Sequence, residues 1–599
     1  MSEIPEVDAF DKRRPLRAPA ALAPFAEAGI LASTDAHVAA MLARLAGDLG
    51  DAALLAAALA VRAPRTGHTC VDLATVAERA VGDGDVLVDP ASLPWPNPSA
   101  WPAAVHDSPL TGDGAPLVLE GSQLYLDRYW RDERQVAADL RALLDAPPSG
   151  VNDAVLADRL DRLFETPGRQ RDAAAVAVSH RLAILAGGPG TGKTTTIARV
   201  VALHAELAHA AGAPLPHIGL AAPTGKAAAR LTEAVAEELA TMGDKLAAPV
   251  RAGITGIQAS TLHRLLGWRP GSASRFRHDR TNRLPHDLVV VDETSMVSLT
   301  LMARLLEALR PGARLVLVGD PGQLASVEAG TVLGDLVQAA TPAGSPLHPV
   351  TVTLTDEHRY GGGIAAVAAA IHDGDADAVV QALRSHPDDV RWIEANPAAP
   401  DTDLTPVRAL AISTTEAART AANAGDARAA LDALGGFRLL LAHRRGAHGV
   451  SHWNRQVERW TTPARDRDDE WYVGRPVLVT ANDASLGIFN GDLGVVVQQA
   501  DHRAVTFDRH PAPLEITPSR LGDVETVHAM TIHKSQGSQF GTVAILLPDQ
   551  RSRILTRELL YTGITRARRA IILVGDEATV RAAVQRPIDR ASGLAHRLR

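Results

Sequence analysis

The residues that could do chemistry begin with GGPGTGKT, Gly187 to Thr194. Gly187, then four residues, then Gly192, Lys193 and Thr194 is the spacing of a phosphate-binding P-loop. Small residues there let successive backbone N–H groups close round a phosphate, and the N-terminus of a following helix adds partial positive charge. The candidate nucleotide contacts are therefore Gly187, Gly188, Pro189, Gly190, Thr191, Gly192, Lys193, Thr194 and Thr195. Lys193 would reach the β and γ phosphates of ATP, and the Thr194 hydroxyl would ligate Mg2+. Two carboxylates, Asp292 and Glu293, close the apolar run in DLVVVDETSM (Asp287 to Met296). A nucleotide hydrolase needs them there, Asp292 to hold Mg2+ through water and Glu293 to polarise the attacking water. Gln323, in ARLVLVGDPGQLASVEAG, is placed to sense the γ-phosphate. Gln170, one short helix before the P-loop, suits an amide that reads donor and acceptor on an adenine edge; a solvated helix start is the other reading.

These side chains need a scaffold of strands ending in turns. Leu182 to Ala186 reads as a strand, and Thr195 to Ala208 as a helix because Ile197, Val200, Val201 and Leu207 recur near helical spacing. IGLAAPTGKAAARL (Ile218 to Leu231) is a second buried strand passing into a helix, with Thr224, Gly225 and Lys226 at the turn. Two such turns on one sheet edge make two phosphate-friendly sites at the carboxyl ends of parallel strands. TLHRLLG (Thr261 to Gly267) is ambiguous, and His263 reads most simply as a packed or capping histidine.

A second α/β half is expected from VTVTLTDEHRY (Val350 to Tyr360), FRLLLAHRRGAHGVSHWN (Phe437 to Asn454), TVAILLP (Thr542 to Pro548) and LLYTGITRARRAIILVGD (Leu559 to Asp576). Within it RPVLVTAND, LGVVVQQ, RAVTFD and LEITP alternate like short antiparallel strands, as in a small β-barrel insertion. TIHKSQGSQF (Thr531 to Phe540) packs His, Lys, Ser, Gln and Gly into a loop suited to backbone phosphates. At the N-terminus, LAPFAEAGIL, HVAAMLARLAG and AALLAAALAVRA read as a helical bundle, and Pro and Gly accumulate from Gly82 to Pro116. Trp95 and Trp101 in that stretch read as packing residues ahead of binding anchors. Leu117 to Leu144 reads as a short strand pair and then a helix towards the motor.

The chain's 599 residues suffice for several cores, and 46% hydrophobic with 22% charged residues describes a soluble globular protein. No signal-peptide h-region opens it, no run reaches membrane-spanning length, and the single Cys70 allows neither an internal disulfide nor a cysteine zinc site. The cytoplasm is the expected compartment. Residues 1–170 carry 15 basic against 25 acidic side chains, net −10, which leaves 46 against 44, net +2, for the rest. The acidic N-terminal part is a poor candidate for gripping phosphates. Only five lysines occur, at 12, 193, 226, 245 and 534, and three of them lie in the phosphate-friendly motifs.

GGPGTGKT, APTGKAAARL, VVVDETSM, VGDPGQL, MTIHKSQGSQF and YTGITRAR, in that order across residues 170–576, resemble the motifs of superfamily 1 DNA helicases, and among these the family of exodeoxyribonuclease V alpha chains. The resemblance implies an α/β fold of two RecA-like P-loop motor domains, a helical N-terminal domain and a small SH3-like β-barrel insertion in the second motor domain. The implied boundaries are 1–115 for an N-terminal partner-docking domain, 116–345 for the first motor, 346–470 and 525–599 for the second, and 471–524 for the insertion. It implies ATP in the cleft, single-stranded DNA across the two motors and 5′→3′ movement. It also implies double-strand break repair and recombination on DNA ends, with beta and gamma subunits as partners and no membrane association. Carried onto this sequence, Gln170 resembles the adenine reader, and Gln323, Arg359 and Arg566 the γ-phosphate sensors. Thr224, Lys226, Thr261, His263, Thr531, His533, Lys534 and Ser535 fall in motifs that face DNA. Two positions depart: Gln539 stands where the family usually has Glu, and His358 where related helicases often have Tyr.

Two other functions compete: a stand-alone helicase of the longer RecD-like group, and a P-loop protein using ATP only as a switch. A short acidic N-terminal region argues against the first, Glu293 with two candidate arginine fingers against the second. The chain is expected to lack a nuclease centre of its own. Many metal-dependent DNA nucleases place an acidic residue two positions before a lysine, and Phe10, Thr191, Thr224, Gly243 and Ile532 occupy those positions here.

Overall fold

The computed structural model describes residues 15, 18–47, 49–79, 89–112, 114–145, 152–269, 275–355, 362–399, 401–462, 469–483, 485–509 and 512–599. The N-terminal part packs the helices Ala23–Glu27, Ser33–Ala46 and Asp51–Arg65 against a three-stranded antiparallel sheet, with β1 (Cys70–Asp72), β2 (Leu117–Glu120) and β3 (Gln123–Leu126) in the order β1-β3-β2. Its core holds Leu22, Phe25, Leu55, Leu59 and Trp101. Trp101 is 1% exposed, and its indole N–H donates to the Ala52 carbonyl at 2.9 Å. The Trp95 ring meets Phe25 edge-on at 4.7 Å. Both tryptophans thus pack, as expected. Because β1 pairs with β3, this unit runs to residue 126, past the expected boundary at 115.

The next sheet has six parallel strands: β4 (Leu182–Gly187), β5 (Ile218–Ala222), β6 (Ala259–Thr261), β7 (Leu288–Val291), β8 (Arg314–Gly319) and β9 (Thr351–Leu354), in the order β6-β5-β7-β8-β4-β9. Both faces of its four central strands are covered, which is why β4, β5, β7 and β8 read as near-continuous apolar runs. Ile184, Val289, Leu315 and Leu317 enter one core, and Ala183, Leu185, Val290 and Val316 the other, the two-residue alternation of a strand. β9 corrects an expectation, since VTVTL was assigned to the second half and instead pairs with β4, beyond the boundary expected at 345. A four-residue edge strand carries no local sign of which sheet it joins.

The second parallel sheet comprises β10 (Val390–Ile393) and β11 (Phe437–Leu441) before an insertion of five strands, β12 (Pro476–Val479), β13 (Leu493–Gln498), β14 (Arg503–Phe507), β15 (Leu514–Ile516) and β16 (Val524–Thr526), and is completed by β17 (Ala529–Thr531), β18 (Phe540–Leu546) and β19 (Ala567–Val574). Its order is β10-β19-β18-β11-β17. The inserted strands form an antiparallel sheet, order β15-β14-β13-β12-β16. Val477, Val496, Val505 and Phe507 build its core on one face, and Val495 and Val497 pack on Ala418, Ala422 and Leu431 on the other. Among the described residues, no helix is long and apolar enough to cross a membrane.

After β19 and the helix Glu577–Gln585, the chain does not stay with the second sheet. It crosses back, and the short helix Leu594–Leu598 buries Leu594 and Leu598 in the core of the first. On the way Ala591 donates its N–H to His68 Nδ1 at 2.8 Å and accepts from the Thr69 N–H at 2.9 Å. Glu133, wholly buried on the helix Asp127–Asp145, accepts from Thr69 Oγ1 (2.7 Å), Gly593 N–H (3.0 Å), Ser592 Oγ (3.1 Å) and Arg597 Nε (3.3 Å). This carboxylate therefore ties the N-terminal unit, the first half and the C-terminal strap at one point.

Candidate active site

β4 delivers Gly187, and the loop that follows turns through Gly190 at φ 90° and Gly192 at φ 78°, a region that favours glycine, before the helix Lys193–Ala210. A Cβ on Gly192 would lie 2.2 Å from the Gln170 amide nitrogen, so glycine also permits that close approach. The Gln170 amide donates to the Thr191 carbonyl at 3.4 Å, which brings the expected adenine reader onto the loop. Lys193 Nζ donates back to the Gly187 and Gly188 carbonyls at 2.7 and 2.8 Å.

Asp292 and Glu293 follow β7, two strands from the P-loop. Glu293 adopts φ 52° and ψ 39°, the one positive φ of a non-glycine among the described residues, and its N–H donates to Asp292 Oδ1 at 2.8 Å. Such backbone costs about 1–3 kcal/mol and tends to occur where function requires it. Burial, and then the neighbouring Glu293 carboxylate, push Asp292 up to about 7, against the pull of the Lys193 ammonium and the Glu293 N–H. Gln323, after β8, is buried, and its amide donates to Asp320 Oδ2 at 3.0 Å.

The second half completes the cleft. Arg566, 3% exposed, donates to the Thr562 carbonyl (3.0 Å), Thr565 Oγ1 (3.2 Å) and the Ser538 carbonyl (3.4 Å). Lys193, Thr194, Asp292, Glu293, Gln323 and Arg566 line one cleft of about 1150 Å3, together with Gln170 and Gln539. Gln539 accepts from Arg568 Nε at 3.2 Å. The two halves also touch directly, since the Leu324 N–H donates to Thr562 Oγ1 at 3.0 Å and the Gln536 amide to the Leu324 carbonyl at 2.9 Å. A Cβ on the P-loop residue Gly188 would lie 3.0 Å from the Tyr561 hydroxyl. Arg359 and His358 lie outside the described residues.

The motifs expected to face DNA follow β5, β6 and β17, whereas the nucleotide motifs follow β4, β7 and β8. Thr224 and Thr261 cap helices, accepting from the Ala227 and Arg264 N–H groups, each at 3.2 Å. His263 is exposed and tilts against Phe276 at 5.7 Å. Thr531 is buried and accepts from the Lys534 N–H, while the wholly buried Ser535 hydroxyl turns to the Ile532 carbonyl at 2.7 Å. His533 is half-buried, and burial lowers its pKa. Lys534 pairs with Glu525 at 2.5 Å. Lys226 reaches across to the second half, donating to Ser538 Oγ at 2.7 Å and the Gly491 carbonyl at 3.3 Å, and burial followed by the charge of Arg230 lowers its pKa to about 7. Ser538, Arg230, Thr562 and Tyr561 are the participants that sequence reasoning missed. Tyr561 and Thr562 stand in the quoted YTGITRAR, but nothing local marks a side chain whose partner is hundreds of residues away.

A glycine loop with its lysine, two carboxylates, a glutamine and an arginine from across the cleft define a P-loop nucleotide hydrolase built on two parallel sheets. Comparison with known proteins makes the class specific. Residues 170–329 match the model of an AAA domain, residues 27–125 that of the RecBCD enzyme subunit RecD N-terminal domain, and residues 526–574 that of the UvrD-like helicase C-terminal domain. The RecBCD enzyme subunit RecD of Mycolicibacterium smegmatis is 52% identical over 96% of this chain and 98% of its own length, and that of Mycobacterium tuberculosis is 51% identical over 96% of each. The ATP-dependent RecD2 DNA helicase of Deinococcus radiodurans is 33% identical over 82% of this chain and 61% of its own length. The chain belongs to the RecD family of superfamily 1 helicases and is an ATP-dependent DNA helicase.

Proposed function

We propose that the chain is the RecD-type subunit of a heterotrimeric helicase–nuclease, moving 5′→3′ on single-stranded DNA, with RecB-like and RecC-like chains as its beta and gamma partners. It would act on DNA ends in double-strand break repair and recombination, in the cytoplasm. The observation that carries this reading is the single cleft shared by Lys193, Asp292 and Glu293 of one half and Arg566 of the other, so that closing on ATP draws the halves together. The longer stand-alone RecD2 helicase, of which this chain matches 61%, is the weaker alternative.

The donor set fits ATP and Mg2+: a loop shaped by positive-φ glycines, a lysine on neutral carbonyls it can exchange for phosphates, and a carboxylate held above its ordinary range until a cation faces it. Thr194 and Asp292 would hold Mg2+, which neutralises phosphate charge when bound. Glu293 would accept the proton of the attacking water, Gln323 and Arg359 would sense the γ-phosphate, and Arg566 would stabilise the charge that develops on it. Thr224, Lys226, Thr261, His263, Thr531, His533, Lys534 and Ser535 would follow the DNA strand past the ends of β5, β6 and β17. We read the two parallel sheets as RecA-like motors and the inserted sheet as SH3-like. The N-terminal unit is the partner-docking part, supported by Met41 and Leu45, 44% and 78% exposed one turn apart on the helix Ser33–Ala46.

ATP turnover and strand separation by the purified chain, with and without single-stranded DNA, test the reading. Turnover that DNA leaves unchanged would return the chain to the class of ATP-binding switches.

A further inference from the structure

The tripeptide Gly537–Ser538–Gln539, which leads into β18, is held by four cations from both halves. Lys226 and Arg230, one turn apart on the helix Gly225–Met242, reach it from the first half: Lys226 Nζ donates to Ser538 Oγ at 2.7 Å, and Arg230 donates to the Gly537 carbonyl. From the second half Arg566 donates to the Ser538 carbonyl at 3.4 Å and Arg568 to Gln539 Oε1 at 3.2 Å. Every acceptor in this set is neutral. Among the described residues, Ser538, 1% exposed, is the one that hydrogen-bonds both the lysine of the TGK turn, through its side chain, and the candidate arginine finger, through its main chain. Gly537 beside it sits at φ 69° with open space where a Cβ would be, so the tripeptide has a residue able to take up rotation.

We propose that Ser538 is a positioning residue that couples DNA binding to hydrolysis, parking Arg566 on neutral acceptors for as long as Lys226 is bound to its hydroxyl. A phosphate oxygen is a stronger acceptor for an ammonium than a serine hydroxyl or a carbonyl, because the bond is charge-assisted on both sides. A DNA phosphate arriving at the TGK turn therefore takes Lys226 from Ser538 and Gly491, the tripeptide turns about Gly537, and the long Arg566 contact gives way to the more strongly attracting γ-phosphate. DNA stimulation of turnover then originates in a competition for one lysine. This inference rests on the reading of the chain as a DNA-stimulated motor.

The test measures ATP turnover of the full chain without DNA and with saturating oligothymidylate, for wild type, Ser538→Ala and Ser538→Thr. Ser538→Ala is expected to raise DNA-free turnover about tenfold, the size of one hydrogen bond to a charged group, with DNA-saturated kcat unchanged, so that the stimulation ratio falls by the same factor. Ser538→Thr keeps the hydroxyl and the wild-type ratio. A loosened loop with no such role would lower both rates, and that result, an unchanged DNA-free rate, or a threonine variant that behaves as the alanine one, overturns the proposal. A wild-type chain without DNA stimulation overturns the motor reading, and this one with it.

Discussion

Replacing Arg566 by alanine separates catalysis from stability, because the structure bounds the second. The guanidinium makes three hydrogen bonds, all to neutral acceptors. The Thr562 carbonyl also accepts from Thr565 Oγ1 at 3.2 Å, so that group keeps a donor when the arginine goes. The Ser538 carbonyl gives up the Arg566 donor, and one buried acceptor left unmatched costs about 1–3 kcal/mol. An arginine finger contributes about 10³–10⁵ in turnover, roughly 4–7 kcal/mol in the barrier. Arg566→Ala should therefore leave a folded chain with nucleotide affinity within about tenfold of wild type and turnover down by about 10³ or more. Arg566→Lys, which keeps the charge and loses the fork, should fall between. Steady-state turnover with saturating single-stranded DNA, beside nucleotide titration and thermal denaturation, reads the two effects apart. A turnover loss below about tenfold would refute the assignment and leave Arg566 an arginine of the domain interface.

Lys193→Ala is expected to abolish ATP hydrolysis and strand separation in a chain that still folds, and near-normal turnover would sink the P-loop assignment. Glu133→Ala removes the acceptor shared by Thr69, Ser592, Gly593 and Arg597, so the amides of residues 591–598 should exchange about 100-fold faster, as for about 3 kcal/mol of lost local stability, with an unchanged exchange pattern contradicting the strap. His68, which burial and then Arg62 hold down to about 4, accepts the Ala591 N–H as the neutral ring. The unfolded state binds the extra proton between about pH 6.5 and 4, so strap stability should fall as pH drops through that window, and His68→Asn should flatten the dependence. The isolated chain should show no divalent-metal-dependent DNA cleavage, and cleavage by carefully purified protein would overturn that expectation.

What could be read in the sequence was local. The strand Leu182–Gly187, the loop and the helix Lys193–Ala210 lie in one unbroken stretch whose apolar spacing and glycines each announce a conformation. The carboxylates after β7 and Gln323 after β8 were legible for the same reason. Pairings across distance were not. β9 is a four-residue edge strand and β1 is three residues long, so neither announces its neighbour. Lys226 stood out as a rare lysine beside a cap, but that it rests on Ser538, 312 positions away, depends on how the halves close. A cut at the expected boundary after residue 115 would separate β1 from β3, and a cut after 126 respects the sheet.

The C-terminal strap has a consequence for how the chain is made. The N-terminal unit is complete by residue 126, yet Ala591, Gly593 and Arg597, which fasten it to the rest, are synthesised hundreds of positions later. At about 5–20 residues per second the ribosome needs roughly 25 to 90 s to cover that interval. Throughout it Glu133 and His68 are without their partners at residues 591–597, and a chain that stops before residue 591 never gains them. Locking of the N-terminal unit thus reports that translation has passed residue 597, and a chain terminated before that point carries an unlatched N-terminal unit open to proteolysis.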